Sequence, residues 1–292
     1  MSSKWVKCIS QSGTIRGVAV EATDLVQQIV RRHKLSESGA IGLGEAVVGA
    51  LLLASNSKQG ERINLNIQGS GFYKQTLVDA DYDGTVRGYV IERDGSEVDL
   101  MNLGPWGSGL ISVLRTRTRE GEQPYIGTVP LVTGHLAKDL TFYWAQSEQV
   151  PSAAGVSVQV DERGDVTAAS GFLIQAMPGA STEEIKLLDS HIRSFSNFPG
   201  EAAKNPDPAS LLSKIFHNTV FLLLESKELA FKCSCSQERV ERALSLFGSE
   251  ELQTMLKEDK KASVRCDFCG LDYVVQSDRL KELIKERIQK GK

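Results

Sequence analysis

Two cysteine pairs carry the most specific chemistry in the chain. Cys233-Ser234-Cys235 and Cys266-Asp267-Phe268-Cys269 hold four of the five cysteines, with the 30 residues 236–265 between them. In a reducing setting such a cluster reads as a metal site or a redox device, because permanent structural disulfides need an oxidising compartment. Four thiolates converging on one ion suit zinc, which takes sulfur at about 2.3 Å in a tetrahedron. The second pair is the stronger signal: Cys-x-x-Cys followed by glycine, here Gly270, makes a knuckle that turns both sulfurs to one side. A closed four-thiolate site leaves no coordination position for a substrate, so neither metal-assisted catalysis nor any enzyme activity is expected.

Spacing alone leaves two readings open, a permanent zinc staple and a redox switch. Residues two apart in an extended segment have Cβ atoms roughly 6–7 Å apart, against about 3.5–4.5 Å in a disulfide, so a bond across Cys-x-Cys distorts the backbone. Metal-binding energy in small zinc modules, about 10–16 kcal/mol in finger peptides, is also folding energy. Converting the ligands to disulfides would therefore release structure together with zinc. Cys8 lies in an apolar strand, Trp5 to Ile9, and reads as plain packing. His33, His135, His191 and His217 are scattered along the chain and form no ligand spacing with a carboxylate.

The elements that must position the thiols can be read around them. Val264-Arg265 and Tyr273 to Val275 read as short strands flanking the knuckle, which places it at a hairpin tip. Ser236 and Ser249 are expected to cap two helices between the pairs, and Ser277 a last one. The piece from about Phe231 onward is nearly balanced in charge and too small for a robust core of its own, so a metal or disulfide staple is expected.

Upstream, periods of two and of 3.6 are mixed, the mark of an α+β domain. Leu25, Val26, Ile29 and Val30 have helical spacing behind a cap at Thr23, and a second helix is predicted from about Gly42 to Ser57, with Gly42 and Gly49 as close-packing points. Ile63, Leu65 and Ile67 alternate as a half-buried strand does. Asp81-Tyr82-Asp83-Gly84 and Glu162-Arg163-Gly164-Asp165 each join two strand-like runs, so the sheet is expected to be largely antiparallel. After Pro178, Ser181-Thr182-Glu183-Glu184 is a capping-box signature, and Ile185, Leu188, Ile192 and Phe195 form one apolar stripe of a helix that needs a surface to lie on. Asn197 to Ser210, with Pro199, Gly200, Pro206 and Pro208, is expected to break regular structure, while Asp207-Pro208 looks like a helix start. The predicted division is an N-terminal α+β domain over 1–180, a helical linker over 181–230 and a C-terminal zinc-binding domain over 231–292.

Bulk properties narrow the function. The longest apolar run, Ala46 to Ala54, is far short of the roughly 20 residues of a membrane span. The N-terminus has no apolar core of a secretion signal, so a cytoplasmic setting is expected, with no membrane partner. A net charge of -3 offers no general attraction to nucleic acid. No Gly-x-x-x-x-Gly-Lys-Ser/Thr loop occurs, so no ATP-driven cycle is expected.

The order Cys-x-Cys, long spacer, Cys-x-x-Cys at the end of a chain this long resembles the redox-regulated heat shock protein 33 family, also called the 33 kDa chaperonins. The likeness extends to Ile15-Arg16-Gly17-Val18-Ala19, Leu43-Gly44-Glu45-Ala46, Asn66-Ile67-Gln68-Gly69-Ser70-Gly71, Val86-Arg87-Gly88-Tyr89, Ser147-Glu148-Gln149-Val150-Pro151-Ser152, Gly171-Phe172-Leu173-Ile174-Gln175 and Met177-Pro178-Gly179. Two departures stand out: Phe72 where the family has proline, and Trp106 in a stretch without a clear match. The resemblance implies an α+β domain, a linker folded over it, and a zinc-binding C-terminal domain that covers the linker in the reduced state. It implies one zinc per chain on Cys233, Cys235, Cys266 and Cys269. On oxidation it implies disulfides Cys233–Cys235 and Cys266–Cys269, zinc release, and ATP-independent binding of unfolding client proteins by a homodimer. The stripe Ile185, Leu188, Ile192 and Phe195 then becomes a client-binding or linker surface. Two rivals remain, a zinc-ribbon nucleic-acid binder and a thiol-disulfide oxidoreductase. The first is disfavoured by the balanced charge of the cysteine segment, the second by a pair lying on a hairpin instead of a helix N-terminus.

Overall fold

Side-chain alternation sorts the strands into layers. A computed structural model describes residues 2–290 apart from 95–97, 99–102, 118–122, 196–197, 205, 218 and 259. Met1, Asn197 and Lys292, which bound three of the predicted segments, lie outside the described residues. The chain divides into two compact units, Met1–Lys232 and Cys233–Lys292. Both mix helices with antiparallel sheet, as the α+β reading expects.

In the large unit, β1 (Lys4–Ser10), β2 (Ile15–Glu21), β8 (Ser152–Val160), β9 (Val166–Ala176) and β10 (Phe221–Glu228) form a sheet in the order β10-β1-β2-β9-β8, antiparallel throughout. A second sheet has the order β11-β5-β4-β3-β6-β7, from β3 (Glu61–Gly69), β4 (Tyr73–Asp81), β5 (Thr85–Glu92), β6 (Gly109–Arg117), β7 (Tyr125–Leu131) and β11 (Ala230–Phe231). Its one parallel pairing is the two-residue β11 on β5. Ile63, Leu65 and Ile67 are fully buried on β3, as the alternation predicts.

The helix α2 (Glu37–Ser55) packs against β2, β8 and β9 of one sheet and β3, β4 and β5 of the other. It starts earlier than predicted because Ser36 caps it, accepting the Gly39 N–H at 2.9 Å. By length and composition it could cross a bilayer, which corrects the expectation drawn from the shorter Ala46 to Ala54 run, but 83% of its apolar window is buried inside the fold. Gly42 and Gly49 are close-packing points: an added Cβ would meet the Tyr73 ring at 2.5 Å and Leu140 at 2.7 Å. The helix α1 (Thr23–His33) is not capped by Thr23, which is its first helical residue. Thr23 instead accepts the Ala169 N–H from β9, and the Glu21 carboxylate takes the Thr23 N–H at 2.8 Å. The helix α3 (Leu136–Gln146) buries Tyr143 and Trp144, and Trp106 is equally buried.

Three helices follow β9. The helix α4 (Thr182–Ser194) carries the complete capping box of Ser181 and Glu184, and α6 (Pro208–Phe216) is capped by Asp207 with proline in its first turn. Between them the expected break is instead a short helix, α5 (Phe198–Lys204). Pro199 sits in its first turn, where no N–H is needed, and burial of Phe198 and Ala202 supplies the packing. Under α6, Gly17 leaves the space required: a Cβ there would meet Phe216 at 2.8 Å, Cys8 Sγ at 2.9 Å and Leu212 at 3.1 Å. Cys8 is 1% exposed, and burial pushes its thiol up to about 12, so it is inert packing.

The small unit comprises α7 (Gln237–Leu244), α8 (Ser249–Glu258), β12 (Lys261–Arg265), β13 (Asp272–Gln276) and α9 (Ser277–Lys290). Ser236 caps α7 as expected, accepting the Arg239 N–H at 3.2 Å. Ser249 is already helical, and the Glu251 carboxylate takes the preceding Gly248 N–H at 2.8 Å. Ser277 does not cap either, because β13 runs directly into α9 and leaves no intervening residue to turn.

Candidate metal centre

The β12–β13 hairpin presents Cys266 and Cys269 at its tip. The knuckle closes through the Cys266 carbonyl, which accepts the N–H of Gly270 at 2.8 Å and of Cys269 at 3.3 Å, while the Cys266 N–H donates to Leu271 at 2.9 Å. Gly270 has φ +69°, a left-handed conformation that a Cβ would penalise. Cys233 and Cys235 come from the irregular stretch leading into α7, whose Ser234 hydroxyl accepts from Arg239 at 2.6 Å.

All four sulfur atoms lie within 4.8 Å of one another, and among the described residues this is the one group of His, Cys, Asp or Glu side chains that could hold a metal ion. Cys233 Sγ is 3.8 Å from Cys266 Sγ, and Cys235 Sγ is 3.3 Å from Cys269 Sγ. Tetrahedral zinc with sulfur at about 2.3 Å requires sulfurs about 3.8 Å apart, so the donor set fits a closed tetrahedron. Crowding four soft donors around one point, with Cys269 buried and the others half-buried, suits a cation that neutralises thiolates. Burial raises the Cys266 and Cys269 thiols; Cys233 adds to the rise at Cys266, where the bond from Cys269 opposes it, and Cys235 and Cys266 add to the rise at Cys269.

Tyr273, which cysteine spacing does not reveal, donates its hydroxyl to Cys235 Sγ at 2.9 Å. That bond, with burial second, pushes the phenol up to about 12. Its signal was available in part: Tyr273 and Val275 alternate on β13, which aims the tyrosine to the face of the buried Val275. The histidines scattered in the sequence are not all apart in space, for the His191 and His217 rings meet at 5.0 Å.

The four stripe residues lie together on the large unit. Leu188 is 9% exposed, Ile192 and Phe195 are half-buried, and Ile185 is 39% exposed; Leu188 joins a cluster with Ile15, Phe172 and Ile174. Phe195 is the C-cap of α4, with its N–H bonded to the His191 and Ile192 carbonyls.

Comparison with known proteins agrees with this architecture. The family model described as Hsp33 protein matches residues 3–276. A 33 kDa chaperonin of Geobacter sulfurreducens is 37% identical over 285 residues, covering 95% of this chain and 93% of that protein. One of Trichodesmium erythraeum is 37% identical over 294 residues, covering 98% and 94%. The crystal structure of a 33 kDa chaperonin (heat shock protein 33 homolog) from Thermotoga maritima matches with a TM-score of 0.88 at 30% identity, over 99% of this chain and 100% of that one. With the family model spanning nearly its whole length and relatives this similar end to end, the chain belongs to the Hsp33 family of 33 kDa chaperonins.

Proposed function

We propose that this chain is a redox-regulated, ATP-independent holdase that binds unfolding proteins under oxidative stress. The observation that carries the reading is the convergence of Cys233, Cys235, Cys266 and Cys269 sulfurs within 4.8 Å. A zinc ion held by these thiolates in the reduced protein supplies a closed crosslink with no open position for a substrate. Cys233 and Cys235 fasten the segment entering α7, and Cys266 and Cys269 fasten the hairpin tip, so the ligand set ties the start of the small unit to its sheet.

A peroxide undoes this tie by chemistry on the sulfurs alone. One thiolate attacks a peroxide oxygen and expels hydroxide, leaving a sulfenic acid; a second thiolate displaces the sulfenic hydroxyl to form the disulfide. Each bond passes two electrons to one peroxide. The proposed pairs are Cys233 with Cys235 and Cys266 with Cys269. In a tetrahedron all sulfurs are nearly equidistant, so the 3.8 and 3.3 Å contacts across the pairs do not select the product. Pairing within each short segment follows once the ligands disengage and the unit loosens.

With the small unit unfolded, the helices of the linker over 181–230 are free to leave the sheet that β10 completes, and Ile185, Leu188, Ile192 and Phe195 offer apolar surface to a client at roughly 25 cal/mol per Å² buried. In this reading the active species is a homodimer working in the cytoplasm, with no ATP, nucleic acid or membrane required. Light scattering of a chemically unfolded client tests it: the oxidised protein suppresses aggregation and the reduced, zinc-loaded protein does so weakly. Equal protection by both forms would overturn the switch, and protection by neither would overturn the chaperone.

A further inference from the structure

The helices between β9 and β10 lie on one sheet but are held to it unequally. Along α6, Leu212, Ile215 and Phe216 are at most 1% exposed. Along α4, Leu188 alone among the described side chains is buried, while Ile185 and Leu187 are 39% and 52% exposed. A half-open cavity of about 120 Å³ also lies along α4, between Ile185, Leu188 and Ile192 on the helix and Ile15, Ile174 and Ala176 on the sheet. Atoms lining such a cavity lack part of their dispersion contacts, so α4 gains less from its apolar face than α6 does.

Polar contacts make up the difference at one residue. Glu184 Oε2 accepts the Ser181 N–H at 2.9 Å and closes the capping box. Glu184 Oε1 points away from the helix to the turn between β1 and β2, where the Ser12 hydroxyl donates at 2.8 Å and the Thr14 hydroxyl at 3.0 Å. One carboxylate therefore both starts the helix and ties it to the sheet. We propose that Glu184 with Ser12 and Thr14 is the latch that holds α4 down, and that opening it frees α4 while α6 stays docked. The inference rests on the proposed function, for which it names the part of the linker that lets go first. The Ser181 N–H and then the two hydroxyls hold the Glu184 carboxyl down to about 2, so its bonds are charge-assisted throughout the neutral range.

Hydrogen exchange on the full-length, reduced, zinc-loaded protein tests the latch directly. Ser12→Ala/Thr14→Val removes both donors and leaves the capping box intact. Amides of residues 186–194 should then exchange about tenfold faster, while those of 212–216 keep their wild-type rates. Ser12→Ala alone should give a smaller acceleration in the same segment and serves if the double variant disturbs the sheet, which tryptophan fluorescence would reveal. Rates in 186–194 changed by less than about twofold, or equal acceleration in 212–216, would overturn the proposal. Exchange reads the helix whether or not the protein protects a client, so a failed latch and a failed chaperone give separate results.

Discussion

In the large unit α2 is packed between strands of two sheets, and Trp5, Trp106, Trp144, Leu51, Leu52 and Leu53 are all fully buried. In the small unit the core is eight buried residues, Val240, Leu244, Leu252, Ala262, Val275, Leu280, Leu283 and Ile284, beside four clustered sulfurs. The first spreads its stability over many apolar contacts that no mild oxidant touches. The second concentrates it where two-electron chemistry can reach it. The proposed switch would use that imbalance, dismantling one unit while the other stays folded. The two are also optically separable, because all three tryptophans lie in the large unit and Tyr273 is the only tyrosine of the small one.

The largest effect should come from the sulfurs. Cys266→Ser/Cys269→Ser is expected to abolish zinc binding and, with a loss on the order of 10 kcal/mol of metal-linked folding energy, to leave the small unit without exchange protection. Tryptophan fluorescence should stay native. Full zinc occupancy in that variant, by native mass spectrometry, would rule out the ligand set. Next comes a cavity on the other side of the comparison. Leu52→Ala should cost the large unit about 2–5 kcal/mol in chemical denaturation followed by tryptophan fluorescence, with zinc content unchanged.

A pH effect is expected in the large unit. Burial raises Glu45 to about 7, against the hydrogen bond that the Trp106 indole donates to it at 3.4 Å. The folded protein therefore keeps this proton where the unfolded chain has lost it. Stability should fall as pH rises from about 4.5 to about 7 and level off above, by at most about 3 kcal/mol. Glu45→Gln should flatten that slope in a comparison of denaturation midpoints; an unaltered slope would assign the titration elsewhere. The smallest effect is expected at Arg279, which bonds Glu241 at 2.9 Å, Glu282 at 2.8 Å and Glu286 at 3.2 Å on the surface of the small unit. Arg279→Met should change its stability by less than about 1 kcal/mol and leave zinc content intact, because partly exposed ion pairs are screened.

Features with a local cause were legible in the residues. The capping box at Ser181 and Glu184, the Asp207-Pro208 helix start, the Asp81 to Gly84 hairpin and the knuckle at Cys266 to Gly270 each depend on neighbours a few positions away. What escaped depends on contacts distant in sequence. The helix α5 forms although Pro199 and Gly200 resemble breakers, because Phe198 finds a pocket beside Phe172. Trp106, without a match in the family pattern, meets Glu45 from 61 positions away, and the Ser12 and Thr14 hydroxyls reach Glu184 across about 170. Ser249 and Ser277 show the limit of local signals: the right residue stands near each helix start, but a neighbouring carboxylate or an adjoining strand takes the capping role.

Counting zinc and free thiols in one sample before and after peroxide treatment under mildly unfolding conditions tests the cysteine switch. The reduced protein should hold one zinc per chain with all five cysteines as thiols or thiolates, and oxidation should remove the zinc together with four thiols, leaving only Cys8. Zinc that stays bound while the protein gains chaperone activity, or activity that rises with all thiols still countable, would contradict the cysteine switch.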